Sequence, residues 1–171
     1  MSSIDFSPNT GGQNVSVHLA PWVAGQLLSV SDIPTSGTAT MSGSAIMSTA
    51  FRHNQSGSIY DVHKYISNGS VQVQFNWDAG GNYTGTFSLS DYDETNPIAI
   101  SAGITDFNFD ITGSGISYSG NKTSFNNGWG GSVSAQGLLY GGNSPDESGG
   151  RMNVSLSKTG DINTSGANDF Y

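Results

Sequence analysis

The segment that decides the fold is residues 130–156, GGSVSAQGLLYGGNSPDESGGRMNVSL. Two alternating runs, residues 132–140 and 151–156, flank a stretch rich in Gly, Asn, Pro and Asp. Apolar residues at every second position are typical of a half-buried β-strand, and the composition between the runs is typical of a turn. The segment therefore predicts two antiparallel strands joined by a loop, forming a hairpin that closes a larger sheet.

Similar alternating runs occur along most of the chain. The clearest is residues 71–77, where Val, Val, Phe and Trp alternate with Gln, Gln and Asn. Residues 79–82 then predict a turn, and residues 83–89 predict a returning strand. Further strands are predicted at residues 14–19, 38–49, 98–100, 107–111 and 116–118. About eight to ten short strands without a helical crossover are typical of an up-and-down barrel or a sandwich, and we favour a single antiparallel, all-β barrel of about eight strands.

The length of 171 residues fits one domain. The 24 Gly residues and the low fraction of charged residues, 11%, disfavour helix. We expect a flexible lead-in at residues 1–13 and the β-barrel domain at residues 14–157. Residues 158–171 are expected to form a polar tail or the start of a further strand.

Charge, hydropathy and the absence of Cys exclude several classes of partner and site. Thirteen acidic residues against five basic ones give a net charge of −8, which repels the phosphate backbone of nucleic acid. No apolar run approaches the roughly 20 residues of a spanning helix, so no membrane span is predicted. The absence of Cys excludes a disulfide framework and a thiolate metal site.

A family resemblance is carried by the same segment that decides the fold. Its residues are Gly137, Tyr140, Gly141, Glu147, Gly149 and Gly150. Their order resembles the signature of the last strand pair in the transferrin-binding-protein-B-like β-barrel domain of bacterial surface and secreted proteins. Residues 22–25 and 33–40 are similar to the entry strand and the Pro-containing segment of these barrels.

The resemblance implies a location and a class of partner. It implies an extracellular or cell-surface domain of a bacterium that binds a host protein, haem or another surface component. The first residues show neither a basic start nor an apolar leader, so we expect an export signal to have been trimmed, and the chain is compatible with being part of a longer protein.

Residues 51–65 lack alternation and predict a long excursion from the sheet, with a short strand or helical turn at residues 59–65. They contain His53, Tyr60, His63 and Tyr65. Imidazole and phenol groups can ligate haem iron or a transition metal, although a spacing of ten residues between the histidines fits no compact metal motif. Solvated or interface side chains are the preferred interpretation, and haem capture is the alternative.

Two further contact surfaces are predicted on loops. The acidic segment 91–97 contains Asp91, Tyr92 and Asp93. Trp129 has glycines on both sides and is expected to be displayed on a loop, where aromatic residues commonly anchor ligands. By contrast, Trp77 and Tyr83 lie at the two ends of a predicted hairpin and are expected in the core.

No catalytic constellation is evident in the sequence. There is no G-x-S-x-G motif, and no Ser or His has a persuasive third partner. Because a small barrel packed with side chains has no room for a substrate channel, its function is expected on the loops at its rim.

The sequence therefore predicts a non-enzymatic binding module for a protein or haem. Haem is a possible cofactor, and the sequence leaves metal binding unknown. The alternatives are a structural or adhesive domain of a surface or biofilm-matrix protein, and a carbohydrate-binding β-domain.

Overall fold

A computed structural model of the chain describes residues 2–6, 15–19, 25–56, 59–91, 106–126, 128–158 and 162–163. The strands are β1 Ser2–Phe6, β2 Val15–Leu19, β3 Gly37–Ser56, β4 Ile59–Trp77, β5 Asn82–Ser90, β6 Phe107–Ser114, β7 Ser117–Lys122, β8 Trp129–Tyr140, β9 Glu147–Lys158 and β10 Ile162–Asn163. A single 3-10 turn, Val30–Asp32, precedes β3.

The strands β3 to β9 follow one another in a single antiparallel sheet that forms a nearly closed barrel. The short strand β10 extends this sheet by pairing with β3, and β1 pairs with β2 in a separate two-stranded sheet. The described residues contain no α-helix. The predicted all-β, antiparallel, up-and-down barrel of about eight strands is confirmed.

The core fills the inside of the barrel because each strand contributes every second residue to it. In β4, Val73, Phe75 and Trp77 are buried, and the polar residues between them are exposed. The same alternation is present in β5, β6, β8 and β9. Burial of one such large side chain contributes about 1.5–3 kcal/mol, so this alternation fixes which face of each strand points inward.

An aromatic cluster lies within this core. Phe75 is fully buried, and its ring centroid lies 5.7 Å from that of Trp77, 5.5 Å from that of Tyr83 and 5.3 Å from that of Tyr118. The latter two contacts are edge-to-face, a preferred arrangement of aromatic rings. Trp77 and Tyr83 are core residues, as predicted.

Two tyrosines in the cluster each cross a glycine on the neighbouring strand. The ring of Tyr83 lies where a Cβ at Gly113 would be, and its hydroxyl donates a hydrogen bond to the Ser117 carbonyl, 2.8 Å away. Tyr118 lies in the same way over Gly137, and its hydroxyl is 2.7 Å from the Ser148 hydroxyl. Each ring therefore ties together three consecutive strands.

The hairpin predicted from residues 130–156 is present as β8 and β9. Gly137 pairs with Gly150, and Tyr140 pairs with Glu147. The Asp146 amide donates to the Tyr140 carbonyl at 3.0 Å and closes the loop. A Cβ at Gly141 would overlap the Ser144 carbonyl oxygen. Gly137, Gly141 and Gly150 therefore each have a local packing reason in this structure.

The prediction of a long excursion at residues 51–65 is wrong. The described part of this segment continues β3 to Ser56 and resumes as β4 at Ile59, with ladder pairing on both sides of residues 57–58. An antiparallel ladder requires only backbone N–H and C=O groups, so it can continue without hydrophobic alternation once the register is set further down the strands.

Candidate ligand-binding site

The outer hairpin, residues 46–68, is the part of β3 and β4 that continues beyond the β4–β5 pairing. The pairing of β4 with β5 ends at Ser70 and Ser90. The pairing of β3 with β4 continues to Ser56 and Ile59. Among the described strands, β4 therefore has only β3 as a neighbour along the outer hairpin.

The backbone register of the outer hairpin brings the two histidine positions together. His53 pairs with Asp61, and Phe51 pairs with His63. Positions related in this diagonal way on neighbouring strands lie about 7–8 Å apart. The ten-residue spacing that fits no linear metal motif thus corresponds to neighbouring positions across the hairpin.

The two tyrosine positions lie on the same hairpin. Tyr65 pairs with Thr49, one alternate position further along β4 from His63. Tyr60 pairs with Asn54, immediately before the register shift near the end of the hairpin. The side chains of residues 49–65 lie outside the described part of the structure, so the site is defined here by its backbone positions.

The base of the outer hairpin has one buried face and one exposed apolar face. Met47 and Ser67 form a cross-strand pair, and both are buried. On the other face, Ile46 is 50% exposed and Ile66 is 41% exposed. These isoleucines are diagonal neighbours, because Ile46 pairs with Asn68 two residues beyond Ile66. They form an apolar surface that sequence reasoning missed.

Only the first residue of the predicted acidic contact loop is described. Asp91 is exposed and has a φ of 58°. Its amide donates a hydrogen bond to Oδ1 of Asp106 at 3.2 Å. This bond joins the residues on either side of segment 92–105. Tyr92 and Asp93 lie outside the described residues.

The prediction that Trp129 is displayed on a loop is wrong. Trp129 is 6% exposed, begins β8 and pairs with Lys158. Two nearby glycines are required by the backbone conformation. Gly128 has a φ of 78°, and a Cβ at Gly131 would overlap the Ser155 carbonyl oxygen. Gly131 therefore allows close packing of β8 on β9, and Trp129 belongs to the core.

Two cavities were not anticipated from the sequence. A groove of about 800 Å³ runs along β6 to β9 and is bordered by polar residues such as Ser119, Gln136 and Arg151. We call the gap between the first and last long strands, β3 and β9, the seam. A second cavity, of about 540 Å³, lies at this seam and is called the seam cavity. Gly149 and Gly150 line both cavities.

The seam cavity is lined mainly by side chains of the inner barrel face. They include Met41, Ala45, Val73, Phe87 and Met152. Burial raises the pKa of the Tyr118 hydroxyl, which also lines it, and the hydrogen bond with Ser148 opposes that rise only in part. This phenol is therefore protonated at neutral pH and offers no phenolate to a metal.

The described residues contain no group of three or more His, Asp or Glu side chains arranged to hold a metal ion. They also contain no helix that is both long and apolar enough to cross a membrane. Searches of protein-family models, curated proteins and solved structures found no match. The resemblance to transferrin-binding-protein-B-like barrels accordingly stays a prediction.

Proposed function

We propose that this chain is a non-enzymatic binding module of an exported or surface-attached bacterial protein, and that it holds haem or a haem-bearing partner on the outer hairpin. The single observation that carries the proposal is the register of β3 and β4, which makes His53 and His63 diagonal neighbours. Imidazole is a common axial ligand of haem iron, and the register brings two histidine positions next to each other on one hairpin.

The packing of the barrel supports a site outside it. Phe75, Trp77 and Tyr118 are buried against one another, so the part of the interior that these rings occupy has no space for a macrocycle. The outer hairpin also contains Arg52 and Lys64, two of the five basic residues of an acidic chain. These charges favour the carboxylates of a haem in a protein whose net charge of −8 would otherwise repel them.

A hemin titration followed by absorbance tests the proposal. We expect the unmodified chain to give a shifted Soret band at micromolar hemin, and His53→Ala or His63→Ala to weaken binding by at least about tenfold. The matched control is His18→Ala, because His18 is the third histidine and lies on β2 in the separate sheet. No Soret shift, or equal binding by all three variants, would refute haem binding at this site.

A second candidate, a protein contact, is favoured by the exposed pair Ile46 and Ile66. Adjacent exposed isoleucines are suited to the apolar centre of an interface. The test is a pull-down with the isolated chain from host serum and from the envelope of the producing cell. Ile46→Ser/Ile66→Ser should lose a partner that Val30→Ser retains, since Val30 is 66% exposed and lies outside the outer hairpin.

A further inference from the structure

The seam cavity reaches from the surface to the inner face of the barrel. Its two sides are formed by residues 40–45 of β3 and residues 147–152 of β9. Every residue of both ranges takes part, inward and outward positions alike, so the cavity passes between the edges of the two strands. It also contacts Val73 of β4, Phe87 of β5 and Tyr118 of β7, whose side chains are buried. A molecule that enters at the seam therefore meets the core.

Gly43 leaves part of this cavity open. It lies two positions from the buried Ala45 on β3, so its side-chain position is on the same, inner face. A Cβ at Gly43 would meet no atom within 4 Å, and its φ is outside the left-handed region. At Gly85 and Gly113, two other inward glycines, a Cβ would overlap a neighbouring residue. The space beside Gly43 is therefore open, whereas the space beside the other two is filled.

The wall of the cavity favours an apolar occupant over water. Its apolar side chains on the inner face are Met41, Ala45, Val71, Val73, Phe87 and Met152. A buried water needs two to four polar partners, which such a wall does not supply. Displacement of poorly bonded water by an apolar group strengthens binding. The volume of about 540 Å³ lies within the range of small-molecule sites, roughly 300–1,000 Å³.

One pair of hydroxyl groups lies on this wall. The hydroxyls of Tyr118 and Ser148 are 2.7 Å apart, and both residues line the cavity. A hydrogen bond between two hydroxyls uses only one of their two O–H donors. The other donor can bind a hydroxyl or carbonyl oxygen of a ligand.

The charges at the opening disfavour an anionic ligand. The charged residues that line the cavity are Asp146, Glu147 and Arg151, and all three are exposed. Arg151 Nη2 donates a hydrogen bond to Gln136 Oε1 at 3.3 Å. This bond directs the guanidinium toward β8, the neighbour of β9 on the side opposite to β3. The two carboxylates and the net charge of −8 therefore repel an anion that approaches the seam.

We propose that the seam cavity binds an uncharged, elongated apolar molecule, of the chemical class of the long-chain alcohols, whose one hydroxyl or carbonyl group binds at Tyr118 and Ser148. The cavity shares no lining residue with the outer hairpin. The two sites therefore take different ligands, because the acidic opening of the seam disfavours the carboxylates of haem. This inference does not depend on the proposed function.

A displacement assay on the full chain tests the class of ligand. The probe is N-phenyl-1-naphthylamine, an uncharged molecule that becomes fluorescent in apolar sites. We expect 1-dodecanol to displace it at micromolar concentration and dodecanoate to need at least about tenfold more. Equal displacement by the alcohol and the carboxylate would overturn the assigned chemistry. Absence of probe binding, or of displacement by the alcohol, would overturn the site itself.

A leucine at position 43 tests the location. Gly43→Leu should fill the open space and weaken binding of the probe and of 1-dodecanol at least about tenfold. It should change the midpoint of thermal unfolding by less than about 2 °C, because a Cβ at this position meets no atom. The matched control is Gly130→Leu on the outer face of β8, where a Cβ has only an ordinary contact at 3.9 Å. Equal binding by the two variants would overturn the proposal.

Tyr118→Phe tests the hydroxyl pair without changing the volume of the wall by more than one oxygen atom. We expect it to weaken binding of 1-dodecanol about fivefold, which corresponds to the loss of one hydrogen bond. Affinity for the probe, which has neither a hydroxyl nor a carbonyl group, should change less than about twofold. An unchanged affinity for 1-dodecanol, or an equal loss for the alcohol and the probe, would overturn the role of this hydroxyl.

Discussion

The contact between Tyr118 and Gly137 gives a sharp prediction, because one added methyl group would occupy the space of a buried ring. A Cβ at Gly137 would overlap the side chain of Tyr118, because the three nearest atoms are two ring carbons and the hydroxyl oxygen of this residue. Gly137→Ala therefore forces the ring to move, together with its hydroxyl contact to Ser148.

The expected cost follows from these two contacts. Overpacking of a well-filled core costs about 1–3 kcal/mol. Loss of one hydrogen bond costs about 1 kcal/mol. Replacing Gly by Ala restricts the unfolded chain and returns about 0.4–1 kcal/mol. We expect Gly137→Ala to lower the free energy of unfolding by about 1.5–3 kcal/mol.

The matched control is Gly130→Ala on the same strand. A Cβ at Gly130 would meet only the Ser157 carbonyl oxygen, at 3.9 Å, which is an ordinary contact. This variant should change the free energy of unfolding by less than about 0.5 kcal/mol. Urea titrations monitored by fluorescence of the buried Trp77 and Trp129 measure both variants under the same conditions.

A double-mutant cycle assigns the cost to the ring. In the Tyr118→Ala background the obstructing atoms are absent, so adding Gly137→Ala should cost less than about 0.5 kcal/mol. The reasoning is refuted if Gly137→Ala is as stable as Gly130→Ala. It is also refuted if the cost of Gly137→Ala is unchanged without the ring.

Two further predictions concern pH and the backbone. Burial, with a smaller contribution from Tyr118, raises the folded-state pKa of Tyr83 above the unfolded value of about 10. The buried, protonated phenol of Tyr83 therefore contributes fully to the free energy of unfolding below about pH 10. This contribution is lost as the pH rises from there toward the folded-state pKa, by up to about 1.4 kcal/mol per pH unit. Urea titrations at pH 8–11 should show a smaller loss of stability with pH in Tyr83→Phe. Asp91 has a left-handed φ of 58°, so Asp91→Val should cost about 1–2 kcal/mol and Asp91→Gly much less; equal costs in thermal melts would contradict this.

The strands with one buried face were predictable from the sequence. In residues 71–77 and 83–89, the hydrophobic alternation reflects a burial pattern that the structure reproduces residue by residue. The hairpin of β8 and β9 was predictable for the same reason, with Gly141 and Pro145 marking its turn region. Burial of one face imposes a period of two, and that period is visible in the chain.

The outer hairpin was not predictable in this way. Residues 51–65 show no clean alternation, so their pairing depends on the register set by the strands below them. The same limit applies to Trp129. The neighbouring glycines suggest a flexible display loop in the sequence, but in the structure Gly128 adopts a positive φ and Gly131 allows close backbone approach.

The contacts that join distant strands also exceed what the sequence shows. Tyr118 and Gly137 are 19 positions apart, and only the sheet register reveals that the ring covers the glycine. The proximity of His53 and His63 has the same origin. The residue types of the candidate site were visible in the sequence, whereas their spatial relation came from the register alone.

The most direct test of a site on the outer hairpin is an NMR titration with gallium protoporphyrin, a diamagnetic analogue of haem, followed through backbone amide shifts. The account predicts that the largest shifts occur at residues 46–68 and that they are lost in His53→Ala/His63→Ala. Shifts concentrated instead at residues lining the seam cavity, such as Val73, Phe87 and Met152, or no shifts at all, would contradict it.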